Sequence, residues 1–483
     1  MMFQKLDPEL QTVVSTLSRE LDVYRPNNRT KWEYYDSEAA IKNIGLAVPE
    51  SMVNVDVVLG WPEIVVDSLD ERLDWLGWSS AAGDVSGLMT VFRDNQLAHE
   101  FDKAKLDALV TGVGFLEVSA GDVGAGEMPV IINAVSSMDA TFRWDERRNR
   151  VASGLVRKLG ENGEVFLTLY LPDKTVSVVW EDGKETVREH VHNRGRCGLI
   201  PVMNRKRADQ SRGKSEITKA IRYYTDHGVR TLLGMEYNRE IYTTPQRWFK
   251  NVHAEDFGFK DDDTAAEVAA RGVKIAMNRA VIMEPNLDED GKPGSDPSTG
   301  QYQSAPPSPY IEELKMAAQT CAAQAGLPVS HFGFHTENPP SADAIRAQES
   351  RLVKKAERRQ SLFNQPLRND LAYVIQSILD GAPADREFIA SLDVVWRDAA
   401  TPTRAASVDA AGKLVANQIL DADSEILLEM VGFTPEQIER IQMERARSVS
   451  RRLIESIRDR QNAPDPTAAA LAAQTRPVTD GAE

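Results

Sequence analysis

Four short segments hold residue types that could do chemistry, and each breaks its pattern where the chemistry is strictest. Arg212-Gly213-Lys214-Ser215 reads as the end of a phosphate-binding loop, in which backbone amides cradle a phosphate and the lysine meets its charge. That loop needs a glycine five residues before Gly213 so that the backbone can curl, and Ala208 stands there. Gly112-Val113-Gly114 opens a dinucleotide fingerprint, but the third glycine's position is Glu117. Asp288-Glu289-Asp290-Gly291 resembles part of a calcium loop. Its glycine comes fourth where the sixth place is required, and Lys292 falls among the ligands. His190 and His192 share one face of an expected strand, a weak metal signal with no third ligand in view. No nucleophile–base pair can be assigned. The sequence therefore predicts no catalytic residue, no cofactor and no metal site, and a non-enzyme is the leading class.

Charge narrows the remaining classes. The chain of 483 residues has a formal net charge of −16 and a pI near 5.1. Proteins that grip DNA by neutralising phosphates are usually basic. A net acidic wall instead repels the phosphate backbone and lets it slide. Cys197 and Cys321 match no zinc spacing and are expected as buried or idle thiols. No run approaches the roughly 18 uncharged apolar residues of a membrane helix. The start, Met1 to Glu9, lacks the apolar core of a signal peptide, so no membrane is expected and a cytoplasmic site of synthesis is.

The elements that must position these residues read as a helix-rich α+β chain. Residues 7–22 and 64–76 have helical spacing. Residues 112–119, 129–135, 151–159, 164–171, 175–181 and 185–192 read as strands, and 150–192 as one antiparallel sheet turning at Asn162-Gly163 and Asp182-Gly183. A long helix follows Ser215 and stops near Pro245, with Ile217, Ile221 and Tyr224 on one face. Residues 245–307 form a compact insertion with strand-like runs at Val273–Met277 and Ala280–Met283. A helix over 309–325 is punctuated by Ser308 as cap, Pro309, and then Gly326 and Pro328. After a loop, Ser341 caps the longest helix, whose stripe runs Ile345, Leu352, Ala356, Phe363, Leu367, Leu371, Val374 and Ile378. Pro366 removes an amide inside it and predicts a kink. Residues 341–369 carry seven Lys or Arg and three Asp or Glu, a local excess of four positive charges. The chain is helical again from Thr401, with a capping box at Thr434-Pro435-Glu436-Gln437, and an Ala-, Pro- and Thr-rich tail over 461–483 is expected to be disordered.

Three blocks then carry a resemblance. They are Tyr34-Tyr35-Asp36 with Gly45-Leu46-Ala47-Val48-Pro49; Trp61-Pro62-Glu63-Ile64 through Leu73; and Gly326-Leu327-Pro328-Val329-Ser330, Gly333-Phe334 and Asn338-Pro339-Pro340-Ser341-Ala342-Asp343-Ala344-Ile345-Arg346 with Glu349. By their order and spacing the chain resembles the phage portal proteins related to that of the Bacillus siphophage SPP1, in the branch common among actinobacterial phages. The likeness spans about residues 30–460. Ser37 departs from it, standing where that family has a glycine, and Pro340 replaces a small residue.

The resemblance implies a subunit of a ring, typically of twelve, at one vertex of the virion's head and assembled in the host cytoplasm. Double-stranded DNA passes through such a ring. Its partners are the terminase large subunit, the major capsid and scaffolding proteins, and a head-completion or adaptor protein. The implied portal fold has a wing (1–210 and 342–400), a helix of wing and stem (211–244), a clip (245–307), a second stem helix (308–328), a tunnel loop (329–341) and a helical crown (401–460). By position Phe334, His335, Thr336, Glu337 and Asn338 would face DNA. The run Arg351, Lys354, Lys355, Arg358 and Arg359 is the rival DNA contact, against inter-subunit ion pairs or a solvated helix face. The competing classes are a capsid- or tail-associated structural protein with no DNA channel, and a nucleic-acid-processing enzyme whose site escapes these motifs.

Overall fold

Leu10, Val14, Leu17 and Leu21 recur at spacings of four, three and four, which puts them on one face of a helix. The computed structural model describes residues 5–39, 56–81, 84–243, 247–251, 260, 262–277, 298–301, 306–334, 341–400 and 404–462. In it these four leucine and valine side chains are buried on the helix Pro8–Tyr35. Leu10, Val14 and Leu17 cover Leu155, Leu167, Leu169, Val176 and Val178 of a sheet. The helix runs to Tyr35 instead of stopping near residue 22, with Pro26 inside it. It ends on Ser37, whose φ of 60° is left-handed, while the Glu38 amide donates to the Glu33 carbonyl at 2.8 Å. This is the helix-ending motif that glycine normally serves.

The sheet under that helix is a five-stranded antiparallel meander of Ala140–Asp145, Arg150–Leu159, Val165–Tyr170, Lys174–Glu181 and Lys184–Val191 in sequential order. Its last turn follows the predicted chemistry, with Asp182 and Gly183 both at positive φ, 48° and 74°. A second sheet places Val113–Ala120 between Val130–Val135 and Leu199–Met203. Trp75–Ser80 pairs antiparallel with the distant Leu392–Trp396. Each of these pairings is antiparallel, as an α+β fold built from hairpins requires.

The helix expected over 64–76 instead spans Trp61–Asp70. Lys105 explains the early stop. Its ammonium, 2% exposed, donates to the carbonyls of Asp70 at 3.2 Å and Leu73 at 3.1 Å. A buried cation on terminal carbonyls satisfies them and matches the helix dipole. Trp75 and Trp78 then enter a strand and meet edge to face at 4.8 Å.

The main core gathers around the long helix Ala342–Gln365. Leu352, Ala356, Phe363, Leu367, Leu371 and Val374 are fully buried, against Val65, Val66, Phe101, Ala104, Ala318 and Cys321 from other helices. Ile345, expected in the same stripe, is 44% exposed, because the helix's first turns run beyond the core. At Pro366 α-helical bonding gives way to a π-helical segment, Pro366–Ala372, before the helix Tyr373–Leu379. There the Leu367 carbonyl accepts the Trp78 indole N–H at 3.2 Å.

Two further helices run antiparallel, Lys219–Thr243 and Ser308–Ala325. His227 meets Glu313 at 3.2 Å, and Gly234 leaves room for the Tyr310 ring. The first begins at Lys219 and not at Ser215, and Ser308 is the first residue of the second, where Pro307 takes the N-cap position without a side-chain capping bond. Between them the run 273–277, expected as a strand, is the end of a helix, Ala265–Met277. Thr264 and Glu267 form a capping box there, bonding each other's backbone amides at 2.9 and 3.4 Å. An alanine-rich segment started that way carries the following apolar run into helix. Ala280–Met283 lies outside the described residues.

The chain divides into two compact units, 1–399 and 400–483. The second contains the helices Arg404–Ala416, Glu425–Val431 and Pro435–Asn462. Its capping box forms as expected, with Thr434 and Gln437 bonding each other's amides at 3.4 and 3.1 Å. Gln461 and Asn462 are still helical, and the rest of the expected tail lies outside the described residues.

Ser37 offers a direct test of the first helix's ending. A Cβ in the left-handed region costs about 1 kcal/mol, so Ser37→Gly should raise stability by up to about that amount. Denaturant midpoints of the two proteins at unchanged m-value check it.

Candidate nucleic-acid interface

The loop entering the long helix is anchored as far as Phe334, the first of the residues expected to face DNA. Gly326 ends the helix Ser308–Ala325 in the left-handed conformation, φ 74°. A side chain there would be strained, and its Cβ would come within 2.9 Å of the Arg351 guanidinium. A short 3₁₀ turn, Val329–Phe332, follows and ends on Gly333. Phe332 is buried edge to face against Trp61 at 5.8 Å, and His331 Nδ1 shares a 2.9 Å hydrogen bond with Ser68 Oγ. Phe334 packs, partly buried, on the main core. His335, Thr336, Glu337 and Asn338 lie outside the described residues. The chain re-enters at Ser341, whose hydroxyl accepts the Ala344 amide at 3.2 Å as the expected cap.

The basic run divides by helical geometry. Arg351, Lys354 and Arg358 are exposed. Lys354 pairs with Glu357 at 2.9 Å on the same helix. Arg351 reaches back to the Ala323 carbonyl at 3.3 Å. Lys355 and Arg359, one turn apart, turn inward to Glu216 at 2.7 and 2.9 Å. The ion pairs expected toward a neighbouring subunit or solvent are, for these two, made within the chain.

Glu216 is 3% exposed. It also accepts Asn204 Nδ2 at 3.0 Å and lies 3.6 Å from Arg205. Burial alone would raise its pKa, but Lys355 and Arg359 reverse that and hold it at about 2. Burial draws the Lys355 ammonium below its ordinary range, with Glu216 opposing. Lys355 lies 3.4 Å from the Ala325 carbonyl as well, so one lysine joins a buried carboxylate to a helix C-terminus. Around this cluster is a cavity of about 510 Å³ lined by Arg205, Arg351, Lys354, Lys355, Arg358 and Arg359. Lys355 and Arg359 bind Glu216 and Lys354 binds Glu357, so the cavity's walls are predominantly positive. They offer no acid–base pair for bond breaking.

The motif-like segments take structural roles. Ser215 donates its hydroxyl to the Val110 carbonyl, and Gly213 sits so close to the Gly112 and Asn204 carbonyls that no side chain would fit. The Arg212 guanidinium lies over the Tyr24 ring at 3.9 Å. That segment is part of the second sheet's packing, and its Lys214 amide donates to the Asn204 carbonyl at 2.6 Å. The rings of His190 and His192 are 6.2 Å apart. Among the described residues, no group of three or more His, Cys, Asp or Glu side chains could hold a metal ion. Both cysteines are buried, and burial pushes each thiol up to about 12. The helical periodicity of the basic run could have separated Lys355 and Arg359 from its exposed members. Nothing local marks Glu216 as their partner, since 139 residues separate it from Lys355 (355 − 216).

Comparison with known proteins adds to this geometry. Residues 15–451 match the family model described as "Phage portal protein, SPP1 Gp6-like". The chain is 30% identical over 393 residues to a protein named "Portal protein" of Mycobacterium phage L5, covering 80% of this chain and 78% of that one. It is also 30% identical over 404 residues to the "Portal protein" of Mycobacterium phage D29, covering 81% and 79%.

The Glu216 cluster has a defined pH signature. A folded pKa lowered from 4.5 to about 2 gives stability that is fully present above 4.5 and lost as pH falls through about 2. Glu216→Gln leaves Lys355 and Arg359 buried without their counter-charge and should cost about 3–5 kcal/mol at neutral pH. Denaturation of both proteins between pH 7 and pH 2 should show that gap constant down to about pH 4.5 and closing below it.

Proposed function

This chain belongs to the SPP1 Gp6-like family of phage portal proteins, a family of structural virion components, and on that premise we propose that it forms a ring channel for double-stranded DNA at one vertex of the phage head. The family match over residues 15–451 carries the reading. In it, twelve copies close a ring through head-to-tail contacts, which requires that the rotation between neighbours divide the circle. Residues 1–210 and 342–400 build the wing. The antiparallel helices Lys219–Thr243 and Ser308–Ala325 build the stem, residues 245–307 the clip, and 401–460 the crown. The clip docks the terminase motor during packaging and the head-completion protein afterwards.

The portal's own part is passive guidance. Energy for DNA movement comes from the terminase, in keeping with a chain whose one phosphate-loop-like segment is packed against its sheet. The loop between Gly333 and Ser341 touches DNA. It is held at one end by Phe332 and Phe334 and at the other by the Ser341 cap. The acidic net charge of −16 lets the phosphate backbone slide past most of the wall.

Two measurements test this. Negative-stain microscopy of the purified protein should show rings of about twelve subunits with a central hole wide enough for a duplex. Monomers, sheets or solid assemblies alone would refute the channel in favour of a structural protein without one. Deleting residues 335–338, which spares the packed Phe334, should leave rings intact but reduce DNA packaged or retained per head. Unchanged packaging would remove the loop from the DNA path.

A further inference from the structure

We infer that an arginine-lined cavity in the unit 1–399, separate from the Glu216 cluster, binds a compact polyphosphate anion. The cavity is about 780 Å³ and takes Arg148, Arg150, Arg194, Arg196, Arg368 and Arg386 from four separate stretches of chain. Its size falls within the roughly 300–1,000 Å³ of small-ligand sites. All of its cationic residues are arginines, and among the described residues no carboxylate lines it. Gathering six guanidiniums in one concavity is unfavourable unless something neutralises them. Asp370 at 2.7 Å from Arg196 and Asp145 at 3.5 Å from Arg148 account for two. An excess of four positive charges (6 − 2) remains in a chain whose net charge is −16.

The cavity is built rather than incidental. Arg194 sits in a turn between Asn193 and Gly195, both left-handed at φ 50° and 76°. The Tyr373 hydroxyl donates to the Arg194 carbonyl at 3.1 Å. Arg150 donates to the Gly195 carbonyl at 2.9 Å, and Arg368 to the Asn369 side chain at 3.3 Å. The Arg196 guanidinium lies over the Tyr373 ring at 5.6 Å. The Tyr373 bond fixes the backbone of the turn, and the Arg150 and Arg368 bonds spend one donor apiece of the five each guanidinium carries. Held guanidinium forks bind phosphate oxygens in pairs, which lysines cannot do. A polyphosphate concentrates several charges on one short chain and so meets the excess inside one cavity, whereas an acidic peptide spreads its carboxylates over successive residues. Pro383, Ile389 and Ala390 line another part of the cavity. They could take the uncharged portion of a nucleoside polyphosphate.

The test uses the full chain and does not depend on ring formation. Inorganic triphosphate is titrated calorimetrically at low salt, with Tm read in parallel. One site per chain, a raised Tm and an affinity that falls with salt are expected. Arg148→Glu and Arg386→Glu alter exposed side chains. Each should weaken binding by about tenfold or more, the worth of a charge-assisted bond, while leaving the ligand-free Tm unchanged. Tighter binding of a nucleoside triphosphate would identify the anion as carried on a nucleoside; equal binding would identify the phosphate chain alone. Displacement of triphosphate by a short single-stranded oligonucleotide would make nucleic acid the source, and failure to displace would make it a free anion. Absence of heat and of a Tm shift overturns the proposal, as does binding that both variants leave intact. Binding of polyglutamate in place of triphosphate also overturns it, by giving the cavity to an acidic protein segment.

Discussion

A carboxylate buried at Glu216 cannot remain ionised without cations brought to it, and much of the architecture follows from supplying them. Asn204 and Arg205 come from the end of the second sheet, Lys355 and Arg359 from the long helix. Lys355 also approaches the last carbonyls of the helix Ser308–Ala325. One residue thus ties the sheet edge to two helices. Desolvation makes each such charge expensive alone, so the cluster specifies one register between those elements more than it adds stability. The long helix cannot slide a turn along the sheet without stranding a buried charge.

Other buried polar groups solve problems of ending and interrupting elements. Lys105 stops the helix Trp61–Asp70 by taking its last carbonyl and that of Leu73 just beyond it. Asp370 lies in the π-helical segment that Pro366 begins and pairs with Arg196 in the connection between the two sheets. Asp107, held among the second sheet and the first helix, accepts Ser137 Oγ at 2.9 Å. Burial raises the pKa of Asp370 and Asp107 to about 6. Their contribution has the sign opposite to that of Glu216: present below the ordinary carboxylate value and lost as pH rises through about 6. Breaks in helical regularity and buried charge coincide, because freed carbonyls and amides need partners where water cannot reach.

For a portal protein this arrangement divides the labour. A rigid body of sheets and helices, locked by packing and buried ion pairs, holds a short loop by its ends. Phe332 against Trp61 and the Ser341 cap are the fixed points. Phe334, just after the first of them, also packs on the main core. The core that these anchors join is close-packed and resists deformation.

Much of this was legible in the chain itself. The stripe from Leu352 to Val374, the strands between 151 and 191, the Asp182-Gly183 turn, the Gly326 stop, the cap at Ser341 and the box at Thr434 are local signals. Each is set by the backbone preference of a few neighbouring residues, so short-range sequence suffices. The three blocks around Tyr34, Trp61 and Gly326 pointed to the family. Ser37 marked its own departure from it and proved to occupy a left-handed position. What local sequence misread were competitions settled at a distance or by a neighbouring cap: the helix stopped at Asp70 by Lys105, the helix carried through 273–277 from Thr264, and Ile345 left outside the core. The basic run shows the division most clearly. Its charge was determined by composition alone. Which of its members are exposed and which are buried on Glu216, and that six arginines from four stretches meet in one cavity, was decided only by tertiary structure, because burial and electrostatic partnership depend on which distant surfaces the fold brings together.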